Sequence, residues 1–552
     1  MNGRLDPVTT EVIGRHVLAA AEEMGVTLMR TAFSPNIKER NDFSTAIFNA
    51  RGEVVAQAEH VPIHLGSMIG AIESLQQRFP VNEIKPGDMF LANDPYNGGG
   101  SHLPDLNLVA PVFHEGRIVA YVANIAHHAD VGGMVPGSEA AVCDSIFQEG
   151  LRLPPVRFVS EGEVSRDIFG IVLLNSRTPE EREGDLNAQR AANHVGIRAI
   201  EAMVERYGAD LFEAALDSYL AFTERRFKAA IAGLPNGRYS AEDYLSGDEL
   251  GSLVRIACTV TVADGALTFD FDGTAPQLNT ARNIPNQALV ATVFCVVKAL
   301  LDPDAPANGG AFRVIGIDAP DGTIVQPLPP GPVGTRSISC SVLSDVIQVA
   351  LSQAIPGRSF AGSGPHHLLV LSGTDPRNGC YFVNYETVAG AIGAQGHRDG
   401  LDAVRTLTSG SANLPVEALE HAYPVRVETY ALRTGSGGAG EFRGGDGIVR
   451  DYRILSDDVT VSLSGERQDV AAPGVEGGRN GATGMFILDP EGTAEELPSA
   501  VQQLPLSRDS VFRVATPGGG GYGVSDNREA ALLKKDTREG RTQDRLTSVK
   551  NA

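Results

Sequence analysis

The chain has 552 residues, of which 42% are hydrophobic and 21% charged, with 62 glycines, no tryptophan and a formal net charge of −22. Its length exceeds what one ordinary core organises and predicts several packed units. The acidic balance argues against nucleic acid or an anionic membrane as partner, because either would repel the surface as a whole.

Five scattered cysteines, Cys143, Cys258, Cys295, Cys340 and Cys380, form no C-x-x-C pair, which leaves no zinc-ribbon or dithiol redox motif and fits a reducing cytoplasm. The N-terminal "MNGRLDPVTTEV" has no charged region followed by an apolar one, and no run approaches the length of a membrane span. A cytoplasmic protein is expected.

In chain order, Asp6-Pro7 reads as cap and first turn of an amphipathic helix to Thr31, with Val12, Ile13, Val17, Leu18 and Met24 at helical spacing. "DFSTAIFNARGEVVAQ" reads as a hairpin about Ala-Arg-Gly, followed by a helix from Gly66 to Arg78. "DMFLAND" and "LNLVAPVFHEGRIVAYVANIAHH" read as three strands, with His-Glu-Gly at the tight turn between the last two. From Thr178 to Leu234 the composition turns helical, with a break near Tyr207-Gly208. Strands return in "YSAEDYL" and "LVRIACTVTVADGALTFDFDGT", then helices in "NQALVATVFCVVKALL" and "SCSVLSDVIQVALSQAI". From about Ala361 the pattern is short strands between glycine-rich turns, and the charged C-terminus reads as an exposed helix or frayed tail. The expected fold class is α+β and multi-domain, with mixed β-sheets, a central helical segment and a β-rich, glycine-rich C-terminal part. The expected divisions are an N-terminal α+β domain over 1–177, a helical segment over 178–234, an α+β domain over 235–360, a β-rich domain over 361–525 and a tail over 526–552.

Two stretches carry chemistry. "GGGSHLPDLNL" places His102 three before Asp105, and "ANIAHHADVGG" places His127 three before Asp130; imidazole and carboxylate together are the ligands a divalent transition metal prefers. Residues three apart on an extended strand face opposite ways, so His102 and Asp105 converge only through the turn that Pro104 and the preceding glycines supply. Strand alternation puts Val119, Tyr121, Ala123, Ile125 and His127 on one face and His128 on the other, which favours His127 as ligand. His128, Asp130 and Asp94 remain supporting or alternative ligands. The competing reading makes all of these satisfied structural polar groups.

Upstream, "NIKERNDFSTAIF" puts Glu39 and Asp42 just before an apolar strand, where either could be a further ligand or a general base; a solvated charged turn is the alternative. His60 and His64 have the spacing of same-face helical ligands, but Pro62 between them argues for a supporting or structural role. The glycine runs contain no G-x-x-x-x-G-K-[ST], and "GSGGAGEFRGGDG" lies among strands, so tight turns at a domain or subunit contact fit better than a nucleotide site. No G-x-S-x-G is present and no cysteine has an obviously electropositive context, which leaves metal-assisted chemistry.

The blocks "IKERNDFSTAIFNARGEVVAQAEHVPIHLGSM", "GDMFLANDPYNGGGSHLPDLNLVAPVF", "NIAHHADVGGMVPGS", "SGGAGEFRGGDG" and "TPGGGGYG" resemble the B-type subunit of the hydantoinase and oxoprolinase family over nearly the whole chain. The resemblance implies ATP-driven opening of cyclic amides such as 5-oxoproline, N-methylhydantoin or lactams. ATP with magnesium would be bound by an A-type partner subunit, in a higher hetero-oligomer. Longer relatives of the ketone carboxylase type make carboxylation the alternative activity. The resemblance further implies manganese or zinc on His102, Asp105 and His127, with Glu39 or Asp42 as the nearby acidic group and base.

Overall fold

The computed structural model describes residues 5–58, 60–247, 252–355 and 357–541. Helix α1 (Pro7–Thr31) opens on Asp6, whose carboxylate accepts the Thr9 amide at 3.1 Å. Its buried stripe, Ile13, Val17, Ala20, Ala21, Met24 and Leu28, follows the helical period. A single turn, α2 (Pro35–Lys38), leads into β1 (Phe43–Asn49) and β2 (Val54–Gln57), which pair antiparallel as the hairpin pattern predicts. Helix α3 runs His64–Arg78, two residues earlier than predicted, because the chain turns helical directly after Pro62.

Strands β3 (Met89–Ala92), β4 (Asp105–His114), β5 (Arg117–His127), β6 (Val156–Ser160) and β7 (Glu163–Val164) complete a sheet of order β2-β1-β5-β4-β3-β6-β7. Glu115 (φ 48°) and Gly116 (φ 78°) make the two-residue turn between β4 and β5, the double positive φ of a type I′ hairpin. The alternation along β5 is broken at one predicted position. A bulge at Val112/Phe113 skips Val119, which packs on the opposite side from Ile118, Tyr121, Ala123 and Ile125.

After α4 (Arg166–Leu174), α5 (Pro179–Tyr207) and α6 (Ala209–Ala232) form the helical segment, separated at Gly208 (φ 80°). Helix α5 lies across β4 and β5 and binds them through buried amides: Asn124 Nδ2 donates to Gln189 O at 2.9 Å, and Gln189 Nε2 to Leu106 O at 2.8 Å. The second sheet, β8 (Gly237–Ser246), β9 (Leu253–Ala263), β10 (Ala266–Asp270) and β11 (Ile315–Asp318), has order β11-β10-β9-β8, with only β10 and β11 parallel. Helices α7 (Asn286–Leu301) and α8 (Arg336–Ser352) join one apolar core that runs from the first sheet through α3 to the second.

The C-terminal half holds β12 (His367–Thr374), β13 (Tyr381–Val388), α9 (Val416–Ala422), β14 (Val425–Leu432), β15 (Ile448–Ile454), β16 (Val459–Ser464), β17 (Met485–Leu488), β18 (Glu495–Leu497), β19 (Ala500–Leu506), β20 (Val511–Ala515) and α10 (Ala530–Glu539). Two sheets result, β13-β12-β16-β19 and β14-β15-β20-β17-β18, about a common apolar core. The glycine runs form a backbone-on-backbone layer: Gly438 N donates to Gly519 O and Gly520 N to Gly362 O, both at 2.8 Å. A Cβ at Gly444 would lie 1.9 Å from Gly519 O, so this layer closes only with hydrogen at those positions.

Candidate metal centre

Register brings the first two candidate stretches together. Asp105 opens β4, His127 ends β5, and the two are direct partners across the antiparallel ladder. Residues 101–104 form the turn before β4, which folds His102 back over Asp105 so that His102 Nε2 lies 3.1 Å from Asp105 Oδ2. His102, Asp105 and His127 each present one ligand atom, all within 4.8 Å of one another, and all three side chains are buried.

The surroundings hold each group in place. Gly334 O lies 3.1 Å from His102 Nδ1. A carbonyl only accepts, so that nitrogen carries the ring proton and Nε2 is a bare lone pair. Nε2 therefore faces the Asp105 carboxylate as one acceptor facing another, and both His102 Nε2 and Asp105 Oδ1 lack a hydrogen-bond partner. A cation held in this cluster would take up such lone pairs. Asn36 Nδ2 donates to His127 O (2.8 Å) and to His127 Nδ1 (3.0 Å), its Oδ1 being taken by Arg40, so the proton of the second ring lies on Nε2, towards Glu139, and has to leave before Nε2 can hold a cation. The Arg336 guanidinium and Ser101 Oγ meet Asp105 Oδ2 at 2.8 and 3.1 Å. Burial pushes the His102 and His127 imidazoles below the ordinary histidine range, so both are neutral, the state in which imidazole ligates. Burial alone would raise the Asp105 carboxyl, yet the Arg336 guanidinium beside it holds it below the usual carboxylate range. The donor set, one carboxylate and two neutral imidazoles with positions to spare, suits a divalent transition metal.

The other candidates separate clearly. Asp42 is buried immediately before β1; its carboxylate is 3.7 Å from His64 Nε2, and it lines the same small cavity as His127. Glu39, three residues earlier at the end of α2, is exposed and is not brought to the cluster. His128 points to the opposite side of β5, where Nε2 meets Gln189 Oε1 at 3.0 Å. Asp130 is occupied by the Gly137 amide and Arg177, and Asp94 by the Tyr96 and Asn97 amides and Arg152. These three acidic or imidazole groups shape loops and do not join the ligand atoms. His60 packs on Phe43 in a tilted arrangement with ring centroids 4.5 Å apart, whereas His64 stands between two carboxylates, 3.5 Å from Asp105 Oδ1.

Several groups escaped sequence reasoning. Glu139 Oε1 lies 3.4 Å from both His102 Nδ1 and His127 Nε2, and burial raises its carboxyl well above the ordinary range. Tyr385, on β13, stacks on His127 with centroids 4.2 Å apart. Arg336 starts α8, and nothing local in "TRSISCS" marks a residue that will pair 231 positions away.

Fold and cluster together define a multi-sheet α+β protein with a buried carboxylate and imidazole cluster that could hold a metal ion. The chain belongs to the hydantoinase B/oxoprolinase family, whose model matches residues 6–525. It is 37% identical over 552 residues to an uncharacterized protein of Methanocaldococcus jannaschii, covering 99% of this chain and 95% of that one. It is 32% identical to the B-type subunit of a putative D-/L-hydantoinase from a Pseudomonas species, covering 97% of this chain and 93% of the relative. The crystal structure of the ATP-dependent caprolactamase from Pseudomonas jessenii superposes with a TM-score of 0.91 at 29% identity, over 98% of this chain and 95% of that chain.

Proposed function

We propose that this protein is the metal-binding, B-type subunit of an ATP-dependent cyclic amide hydrolase. Its substrate would be a hydantoin, 5-oxoproline or a lactam, and an A-type partner subunit would bind ATP with magnesium. The observation that carries the proposal is the bare His102 Nε2 facing the Asp105 carboxylate inside a buried cluster completed by His127. The family membership and the names of the relatives support the reaction class and the division into subunits.

His102, Asp105 and His127 would hold a divalent ion, manganese or zinc, which would supply Lewis acidity. The protein does the rest. Gly334 O and Asn36 hold the two rings in fixed orientation, which is how outer groups tune a metal site. Arg336 and Ser101 keep Asp105 ionised and aimed. Asp42 is the buried carboxylate facing the cavity, placed to take a proton from water there, with His64 beside it. Glu139, whose carboxyl burial raises and whose Oε1 is 3.4 Å from His127 Nε2, is the group placed to exchange a proton with that ring. Among the described residues no helix is long and apolar enough to cross a membrane, and a cytoplasmic location is part of the same proposal.

The test is turnover by the chain purified with its partner. Phosphate release that depends on a lactam or hydantoin, and on His102, supports hydrolysis. Labelled bicarbonate entering a β-keto acid would replace this reading with ketone carboxylation.

A further inference from the structure

The cavity touching Asp42 and His127 has a volume of about 30 Å³, room for about two water molecules. Arg405, Ser409 and Ser337 line it and are half-buried, whereas Asp42, His64, His127 and Tyr385 are buried, so it reaches solvent at the Arg405 end.

Arg405 is the unusual group there. Its Nη2 donates to Thr387 O at 2.5 Å and to Ala412 O at 3.5 Å, and its Nη1 to Ser409 Oγ at 3.5 Å. Among the described residues no carboxylate pairs with it. The two acidic groups whose charge reaches it are engaged elsewhere: Asp42 lies 4.0 Å from Arg40 and 3.7 Å from His64, and Glu386 accepts from Arg450 at 2.5 Å and from Tyr452 at 3.1 Å. Arg40 Nε donates to the same Ala412 O at 3.3 Å, so two guanidinium groups meet at one carbonyl oxygen. Burial, with Arg40 beside it, draws the Arg405 guanidinium down to about 9. A cation held partly out of water beside a like charge is destabilising until an anion compensates it.

The rest of the lining suits an anion. Arg336 and Arg405 are cationic and only Asp42 is acidic, and Thr408, Ser409 and Ser411 add hydroxyl groups able to donate. A guanidinium fork with hydroxyl donors matches the paired oxygens of a carboxylate-like or phosphate-like group. Space for about two waters is space for two such oxygens, with the remainder of the group at the open rim.

We infer that Arg405, with the Ser409 and Ser411 hydroxyls, forms a binding site for a small oxyanion of the phosphate or bicarbonate kind, in the mouth of the cavity that leads to Asp42 and His127. The site itself stands on the geometry, and its use in turnover, as the seat of the phosphate group that ATP contributes, rests on the proposed hydrolase function.

The test uses the full chain freed of metal by chelation, so that no ion at the cluster binds the anion in place of Arg405. Orthophosphate and bicarbonate are titrated separately by calorimetry, and access to Arg405 is followed as its rate of modification by phenylglyoxal, read by peptide mass spectrometry. Orthophosphate at about ten times its Kd should slow that modification roughly tenfold. Arg405→Met should weaken phosphate binding by about ten- to hundredfold, and Arg405→Lys, which keeps the charge without the fork, should recover part of the loss. Should Arg405→Met fail to fold, protection in the unaltered chain decides. No protection of Arg405 by either anion, or binding of both unchanged in Arg405→Met, would overturn the site, and lactam-dependent phosphate release would then leave the hydrolase reading standing. Protection by bicarbonate and not by phosphate would support the site and assign it to carboxylation. Protection by phosphate in a chain that, together with its partner, opens no lactam or hydantoin would support the site while the hydrolase reading falls.

Discussion

Arg336→Met tests the electrostatics of the cluster in a way that separates a metal site from a structural ion pair. The Arg336 and Asp105 side chains are 4% and 0% exposed and their charged atoms are 2.8 Å apart, so removing the guanidinium leaves a carboxylate stranded in the interior. Breaking one side of such a buried pair costs about 3–5 kcal/mol, which is roughly a 10²- to 10⁴-fold rise in local opening. A divalent ion beside Asp105 restores the missing positive charge, so the loss should shrink markedly in metal-loaded protein. A chain of this size does not unfold in one step, and local hydrogen exchange over residues 101–107 is therefore the suitable assay, run on stripped and on manganese- or zinc-loaded protein. The lost Ser101 hydrogen bonds affect both states and cancel in the comparison. The double variant Arg336→Met/Asp105→Asn should recover most of the loss, because the stranded charge is gone. An equal increase in opening with and without metal would refute the reasoning, since it would mean that no cation sits at Asp105.

Asp42→Asn should lower turnover by about 10²- to 10⁴-fold, the usual worth of a general base, with metal retained, whereas Glu39→Gln, at an exposed side chain, should leave rate and metal content unchanged. Both are read from steady-state kinetics and elemental analysis. Glu149 is fully buried, its Oε1 accepts the Val333 and Gly334 amides at 2.7 Å, and burial raises its carboxyl from 4.5 to about 7. The folded state then binds the proton more tightly than the unfolded chain, so this group's contribution improves as pH falls from about 7 towards 4.5 and is at its most unfavourable above 7. Glu149→Gln should remove about 3 kcal/mol of that pH dependence, seen as a smaller difference between unfolding temperatures at pH 5 and pH 8. Gly444→Ala, which drives a methyl group into Gly519 O, should abolish soluble expression or lower the unfolding temperature by many degrees, while Gly170→Ala, in α4 with nothing within 4 Å, should be far milder.

Local chemistry carried much of the fold and the candidate site into the sequence. The Pro104 turn, the His-Glu-Gly hairpin and strand alternation place His102, Asp105 and His127 on adjoining strand ends without any knowledge of the remaining domains. The break at Gly208 is equally local, since its positive φ is a conformation few other residues adopt. The choice between Glu39 and Asp42 was not local. It depends on how the single turn α2 meets β1, which exposes one carboxylate and buries the other three residues later. The bulge at Val119 also escaped, because a pattern of period two contains no sign of an added residue. Arg336, Tyr385 and Glu139 reach the cluster through contacts between distant segments, and no spacing rule connects position 105 with 336 or 127 with 385.

The most direct test of the central claim is the metal content of the full chain purified with its partner, measured beside His102→Ala and turnover on a lactam or hydantoin. About one manganese or zinc ion per chain, lost together with turnover in His102→Ala, is the predicted result. Full turnover by a chain free of divalent transition metal would contradict it.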